Sequence, residues 1–173
     1  MKKTLLFIFS FSFFVSNSQV LSKIEIDSIV TIIDKSESLT KSVFNWNELI
    51  NQTTDGGGEL VVYHKKGEIK KIILQGGLSY GRITSIIYLK NKQPIYLIEK
   101  EENFPFENDK INYTKLDEKF KELIYVFGKD NKGIGEYKFE SKIIGKRILS
   151  ENHCAIDELF APIGIAEKAI KTK

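Results

Sequence analysis

The chain is poor in the residues that staple or interrupt a fold. Among 173 residues there is one cysteine, Cys154, so no disulfide can close within the chain. That cysteine and two histidines, His64 and His153, cannot be written into a His-x-x-x-His or Cys-x-x-Cys spacing, which leaves structural zinc without ligands and points to no cofactor. Three prolines and 12 glycines exclude collagen and low-complexity disorder. A strong excess of charge is also missing, because 26 Lys and Arg face 23 Asp and Glu, interleaved as in Lys100-Glu101-Glu102 and Asp117-Glu118-Lys119. Such a chain has no long-range field for a phosphate backbone, and nucleic acid is not an expected partner. What remains, with 42% hydrophobic residues, is one globular domain able to rest on its apolar core.

One apolar run stands out. Residues 5–15 carry no charge, follow Lys2 and Lys3, and precede the small residues of Ser16-Asn17-Ser18. This is the pattern of a secretory signal peptide, and the run is too short to cross about 30 Å of hydrocarbon as a permanent helix. Cleavage is expected after Ser18, leaving a single α+β domain over residues 19–173. No cysteine follows the run, so a lipid anchor by that route is not expected, and no further membrane segment is read after Val20. Without Lys2 and Lys3 the basic residues number 24 against 23 acids, a net charge of +1. The expected destination is the periplasm or the extracellular space.

Along the remaining chain, Ile24, Ile26, Ile29, Val30, Ile32 and Ile33 include an i, i+5, i+8, i+9 set that predicts a helix over 23–33. Their β-branched side chains favour a strand as the rival. A second short helix is predicted over 45–51, with Trp46, Leu49 and Ile50 on one face. After Asp55-Gly56-Gly57-Gly58 the pattern turns to strands over 59–64, 68–75, 82–90 and 93–100. Lys65-Lys66-Gly67 and Asn91-Lys92 are short enough for hairpin turns, while 76–81 reads as a longer glycine-bearing connection. The polar stretch 103–113, with Pro105, reads as a loop suited to a flexible lid. Spacing of Leu116, Phe120, Leu123, Ile124 and Phe127, with Thr114 three before Asp117, suggests a short capped helical turn, followed by a strand over 121–127. A final hairpin of 136–140 and 142–149 and a C-terminal helix over 163–171 after Pro162 complete an α+β fold: N-terminal helices on an antiparallel meander of about six strands.

Three segments begin with an aromatic residue and run into a turn: Tyr63-His64-Lys65-Lys66-Gly67-Glu68-Ile69, Tyr88-Leu89-Lys90-Asn91-Lys92-Gln93-Pro94 and Tyr137-Lys138-Phe139-Glu140-Ser141-Lys142-Ile143. Each reads as a strand–turn–strand unit whose aromatic packs across to its neighbour. With the signal peptide and the Gly-Gly-Gly-Glu lead-in to the first strand, these segments resemble small exported proteins of Bacteroidota with aromatic β-hairpin repeats. The resemblance covers about 55–149, implies an exported α+β protein, and brings no catalytic residues with it.

Motifs for chemistry are few. Asp55-Gly56-Gly57-Gly58-Glu59 lacks the Gly-Lys-Ser/Thr ending and the following helix of a phosphate loop, and reads as a turn. Gly77-Leu78-Ser79-Tyr80-Gly81 has the letters of a nucleophile elbow but lies between two predicted antiparallel strands. His153 and Cys154 adjoin in sequence and so point apart, which disfavours a thiolate–imidazole dyad. Glu99, Glu101 and Glu102 cluster at the end of a strand, and with His64 they are what a hydrolase of envelope material would have to use. Tyr63, Tyr88 and Tyr96 on neighbouring strands, and Tyr80 and Arg82 beside the 76–82 connection, have the composition of a binding surface. The leading expectation is a non-enzymatic binding or inhibitory module acting on a protein or envelope component through an open sheet face. A structural envelope protein is a third expectation.

Overall fold

In the computed structural model, residues 20–129, 137–148 and 156–172 are described. Helix α1 (Lys23–Asp34) leads into strand β1 (Thr40–Asn45), a single-turn helix α2 (Trp46–Ile50), and strands β2 (Gly58–Lys65), β3 (Glu68–Leu78), β4 (Gly81–Lys90) and β5 (Gln93–Asn103). A small hairpin of β6 (Phe106–Glu107) and β7 (Lys110–Ile111) precedes β8 (Asp117–Lys129) and β9 (Tyr137–Gly145), and the chain ends in α3 (Ile156–Leu159) and α4 (Ala161–Ala169). Seven strands form one antiparallel sheet in the order β1-β2-β3-β4-β5-β8-β9. The expected α+β class therefore holds, with seven strands in the main sheet and a second, two-stranded one beside it.

The helix over 23–33 forms because its start is capped. The Ser22 side chain accepts from the Glu25 backbone N–H at 3.3 Å, and the Ser22 N–H in turn donates to the Glu25 carboxylate at 2.8 Å. This capping box offsets the weak helix propensity of the β-branched residues that follow. The β2–β3 and β4–β5 hairpins turn through consecutive positive-φ residues, Lys66 and Gly67 in one and Asn91 and Lys92 in the other, as the twist of paired strands requires.

Alternation along the strands gives the sheet two apolar faces, and both carry helices. On one face Leu60, Val62, Ile72, Ile87, Leu97 and Ile124 are buried with Ala166 of α4, and Trp46 and Leu49 of α2 pack against them. On the other, Tyr88 and Tyr96 are buried with Ile26 and Ile33 of α1. The C-terminal helix thus lies opposite α1, and no sheet face is open over its whole area.

Several expectations are corrected. The 76–81 connection is a tight hairpin, since β3 runs to Leu78 and β4 starts at Gly81. The 103–113 loop contains the β6–β7 hairpin. The capped helical turn before residue 121 is absent: β8 begins at Asp117, and Thr114 donates from both its N–H and its hydroxyl to Asn112 Oδ1 at 3.0 and 2.6 Å, closing a turn. Where 136–140 and 142–149 were predicted as a hairpin, the described residues 137–145 form one strand, β9, so the third aromatic segment is not a hairpin. Strand β1 was not foreseen at all. The proposed leader, Cys154 and His153 fall outside the described residues.

Candidate functional site

The five sequence-nominated residues separate into two groups. Tyr63, Tyr88 and Tyr96 belong to one row that crosses the sheet: Tyr63 pairs with Lys71, Lys71 with Tyr88, Tyr88 with Tyr96, and Tyr96 with Tyr125. Helix α1 lies on this row. Asp34 accepts from the Tyr88 hydroxyl at 3.0 Å and from Lys71 Nζ at 2.6 Å, and Asp27 accepts from the Tyr125 hydroxyl at 2.9 Å. The spacing explains the fit: seven residues of helix rise about 10.5 Å, and the two strand intervals from β4 to β8 span about 9.6 Å. Lys23, a further turn back, reaches Glu140 on β9. Tyr88 and Tyr96 are 3% and 7% exposed, so they anchor α1 rather than face a partner. Burial, with the charge and bond of Asp34, pushes the Tyr88 hydroxyl well above its ordinary range, and burial with the Asp27 bond does the same to Tyr125.

Tyr80 and Arg82 lie at the opposite end of the sheet, at the β3–β4 turn. There Tyr80 is 49% exposed, and its carbonyl accepts from the Phe104 N–H at 3.0 Å. Phe104 stacks edge-on with Tyr113 at 5.2 Å between ring centres, and the β6–β7 hairpin beside them exposes Phe106 at 70% and Ile111 at 40%. The hairpin is tied at its base: Asn112 N–H donates to the Pro105 carbonyl at 2.8 Å, and Lys115 and Asn112 donate to the Glu107 carboxylate at 3.1 and 2.9 Å. Those bonds hold the Glu107 carboxyl below its usual range and raise the Lys115 ammonium. One end of the sheet therefore presents Tyr80, Phe106, Ile111 and Tyr113 to solvent on two adjoining turns, with Arg82 half-buried behind them. Phe106 and Tyr113 were missed in the sequence because 103–113 reads there only as a polar loop.

Of the carboxylates nominated for hydrolysis, Glu99 and Glu101 do meet, on the face that carries α2 and α4. Glu99 stands opposite Glu122, and Glu101 stands opposite Phe120. Arg147, just past β9, reaches back over them: its guanidinium bonds Glu99 at 2.8 Å and Glu101 at 3.0 Å, lies 3.6 Å from Glu122, and stacks on the Phe120 ring at 4.1 Å. The Ile148 N–H adds a 2.7 Å bond to Glu101, and Ser85 donates to Glu99 at 3.3 Å. Burial alone would lower the Arg147 pKa, but the bonds and charges of Glu99 and Glu101 outweigh it and hold it above its ordinary value. Glu101 is 0% exposed, so the arrangement is a clamp that fastens the chain after β9 to the middle of the sheet. His64 takes no part: it sits at the other end of β2, bonded to Ser42 Oγ at 3.2 Å. Glu102 lies on the face opposite the clamp. Ser79 occupies the β3–β4 turn, where its N–H donates to Asp55 at 2.9 Å, and no helix follows it.

Among the described residues no group of three or more His, Cys, Asp or Glu is placed to hold a metal ion, and no helix is long and apolar enough to cross a membrane. No family model matches the chain, and neither a curated protein nor a solved structure matches it.

Proposed function

We propose that the protein is an exported, non-enzymatic binding or inhibitory module that engages a protein or envelope component through the end of its sheet formed by the β3–β4 turn and the β6–β7 hairpin. The observation that carries this reading is the gathering of Tyr80, Phe106, Ile111 and Tyr113 at solvent on two turns that are braced by backbone bonds. Aromatic side chains in excess of what the core needs, held on short turns, supply contact area at little conformational cost. Arg82 adds a charge beside them that can pair with an acidic group of a partner. Export rests on the leader pattern of residues 1–18, which gives the module its compartment and its class of partner.

The test is affinity capture from periplasmic and envelope extract, comparing the parent protein with Tyr80→Ala, Phe106→Ala and Arg82→Ala, and with Lys66→Ala at the far end of the sheet as control. A partner whose binding weakens about 30-fold in the two aromatic variants and is unchanged in the control is the expected result. A specific partner retained by all three variants at this end refutes the proposed surface.

A further inference from the structure

We infer that β9 is a self-pairing edge, and that two copies of this chain join through it into one continuous sheet with a two-fold axis at Ser141. Among the described residues β9 pairs with β8 alone, and eight of its nine residues are exposed. Phe139, Ile143 and Ile144 on this strand are 49%, 50% and 46% exposed. A long edge strand with apolar side chains is a ready template for another strand unless something guards it.

Backbone geometry says which atoms are offered. Lys146 N–H donates to the Lys119 carbonyl at 3.0 Å, and residues of a paired antiparallel strand alternate in the direction of their N–H and C=O groups. Lys146, Ile144, Lys142 and Glu140 therefore bond toward β8, while Ile143, Ser141 and Phe139 turn their backbone groups outward. An incoming antiparallel strand must match outward residues to outward residues, which restricts a symmetric pair to axes at successive residues of β9.

Charge and apolar matching together then select among those axes. An axis at Glu140 sets Glu140 against its own copy and Lys138 against Lys142. An axis at Lys142 sets Lys142 against itself and Lys138 against Lys146. Axes at Phe139 and Ile143 also oppose unlike charges, Lys138 with Glu140 and Glu140 with Lys146, but only an axis at Ser141 sets Glu140 against Lys142 of the second copy, twice by symmetry, and on the other face of the same ribbon sets Phe139 against Ile143, also twice. Unlike charges and apolar side chains directly opposite each other stabilise paired strands, and like charges oppose pairing. The lysines that would ordinarily guard an edge are thus satisfied by a second copy of the same edge, and such an isologous contact closes at two chains. Glu140 already bonds Lys23 of its own α1 at the surface, and a carboxylate has acceptor sites for both partners.

The experiment is sedimentation equilibrium and light scattering of the full chain exported with its own leader, over a wide concentration range. The parent protein is expected to dimerise. Glu140→Lys and Lys142→Glu each place like charges opposite one another twice, and each is expected to raise the dimer dissociation constant about tenfold. The double variant Glu140→Lys/Lys142→Glu restores unlike pairs and is expected to dimerise like the parent, an outcome that general damage to the strand would not give. Ser141→Pro removes only an outward N–H and is expected to yield a folded monomer with an unchanged circular dichroism spectrum. A parent protein that stays monomeric throughout, or a dimer indifferent to all these changes, overturns the inference, and a double variant that fails to recover overturns the Ser141 axis.

Discussion

Replacing Arg147 with methionine isolates the electrostatic part of the clamp, because methionine keeps most of the apolar stem that lies over Phe120. Around it stand Glu99, Glu101 and Glu122, whose side chains are 7%, 1% and 10% exposed. At about 3 Å and an effective dielectric near 20, one carboxylate–guanidinium contact is worth about 5 kcal/mol before desolvation is counted. Most of that gain is cancelled by removing both charges from water, so the intact cluster adds little net stability. The variant keeps the desolvation penalty and loses the compensation, which for a broken buried pair costs about 3 to 5 kcal/mol. Urea unfolding at neutral pH, followed by tryptophan fluorescence and circular dichroism, measures this directly. Arg147→Met/Glu101→Gln should recover part of the loss by removing one uncompensated charge. A cost below about 1 kcal/mol, or a double variant no more stable than Arg147→Met alone, would refute the view that the cluster is a clamp held together by charge compensation.

Other expectations follow from the same geometry. At Gly77 an added Cβ would lie 2.4 Å from the Gly56 carbonyl oxygen, whereas at Gly76 it would meet nothing within 4 Å; Gly77→Ala should cost about 1 to 3 kcal/mol in thermal or urea unfolding and Gly76→Ala much less. Asp34→Ala strands the buried Tyr88 hydroxyl and should cost about 1 to 3 kcal/mol by the same assay. Because Tyr88 and Tyr125 ionise above their ordinary range in the folded chain, their contribution is complete below about pH 10, where unfolded tyrosine titrates, and is lost as pH rises beyond it; Tyr88→Phe/Tyr125→Phe should flatten that alkaline decline in stability. The Glu25 carboxyl is held low chiefly by the Ser22 backbone N–H, so its contribution is present above the unfolded carboxylate range and fades on acidification; Glu25→Gln should remove that acid-side dependence from helix α1, whereas Ser22→Ala, which keeps the N–H, should retain most of it, read by circular dichroism.

What could be read along the chain depended on whether the signal was local. The strands from Gly58 to Asn103 are consecutive hairpins with alternating apolar residues and turn residues between them, and all four were legible within a few positions. Strand β1 was not, because Thr40-Lys41-Ser42-Val43-Phe44-Asn45 is an edge strand with one fully buried position, Ser42, and shows no apolar alternation. Phe120, Leu123, Ile124 and Phe127 fit helical spacing, yet β8 is a strand because sheet pairing to β5 on one side and β9 on the other overrides that local pattern. The clamp was half visible: Glu99 and Glu101 stood out, but Glu122 joins them only through the register of β5 against β8, and Arg147 through a segment that follows β9. The tyrosines show the same limit in reverse. Tyr88 and Tyr96 lie on neighbouring strands as expected, but Tyr63 is separated from Tyr88 by β3, and composition could not reveal that Asp27 and Asp34, seven residues apart on α1, would cover that row.

The two tethers both lie outside the β3–β4 turn and the β6–β7 hairpin, the end of the sheet proposed to bind. Helix α1 is fixed to the tyrosine row near the β4–β5 turn, and Arg147 fastens the opposite face near the middle of β5. With both faces secured by charged groups whose partners lie on the sheet, the β3–β4 turn and the β6–β7 hairpin do not have to contribute core contacts. Their aromatic residues can therefore remain at the surface without weakening the fold, and substitutions at Phe106 should leave stability within about 0.5 kcal/mol of the parent. That separation makes the binding proposal testable: a Phe106→Ala protein that unfolds like the parent and still loses its partner assigns the loss to the surface, whereas a protein destabilised by several kcal/mol would mean that Phe106 belongs to the core and that the hairpin has a structural role.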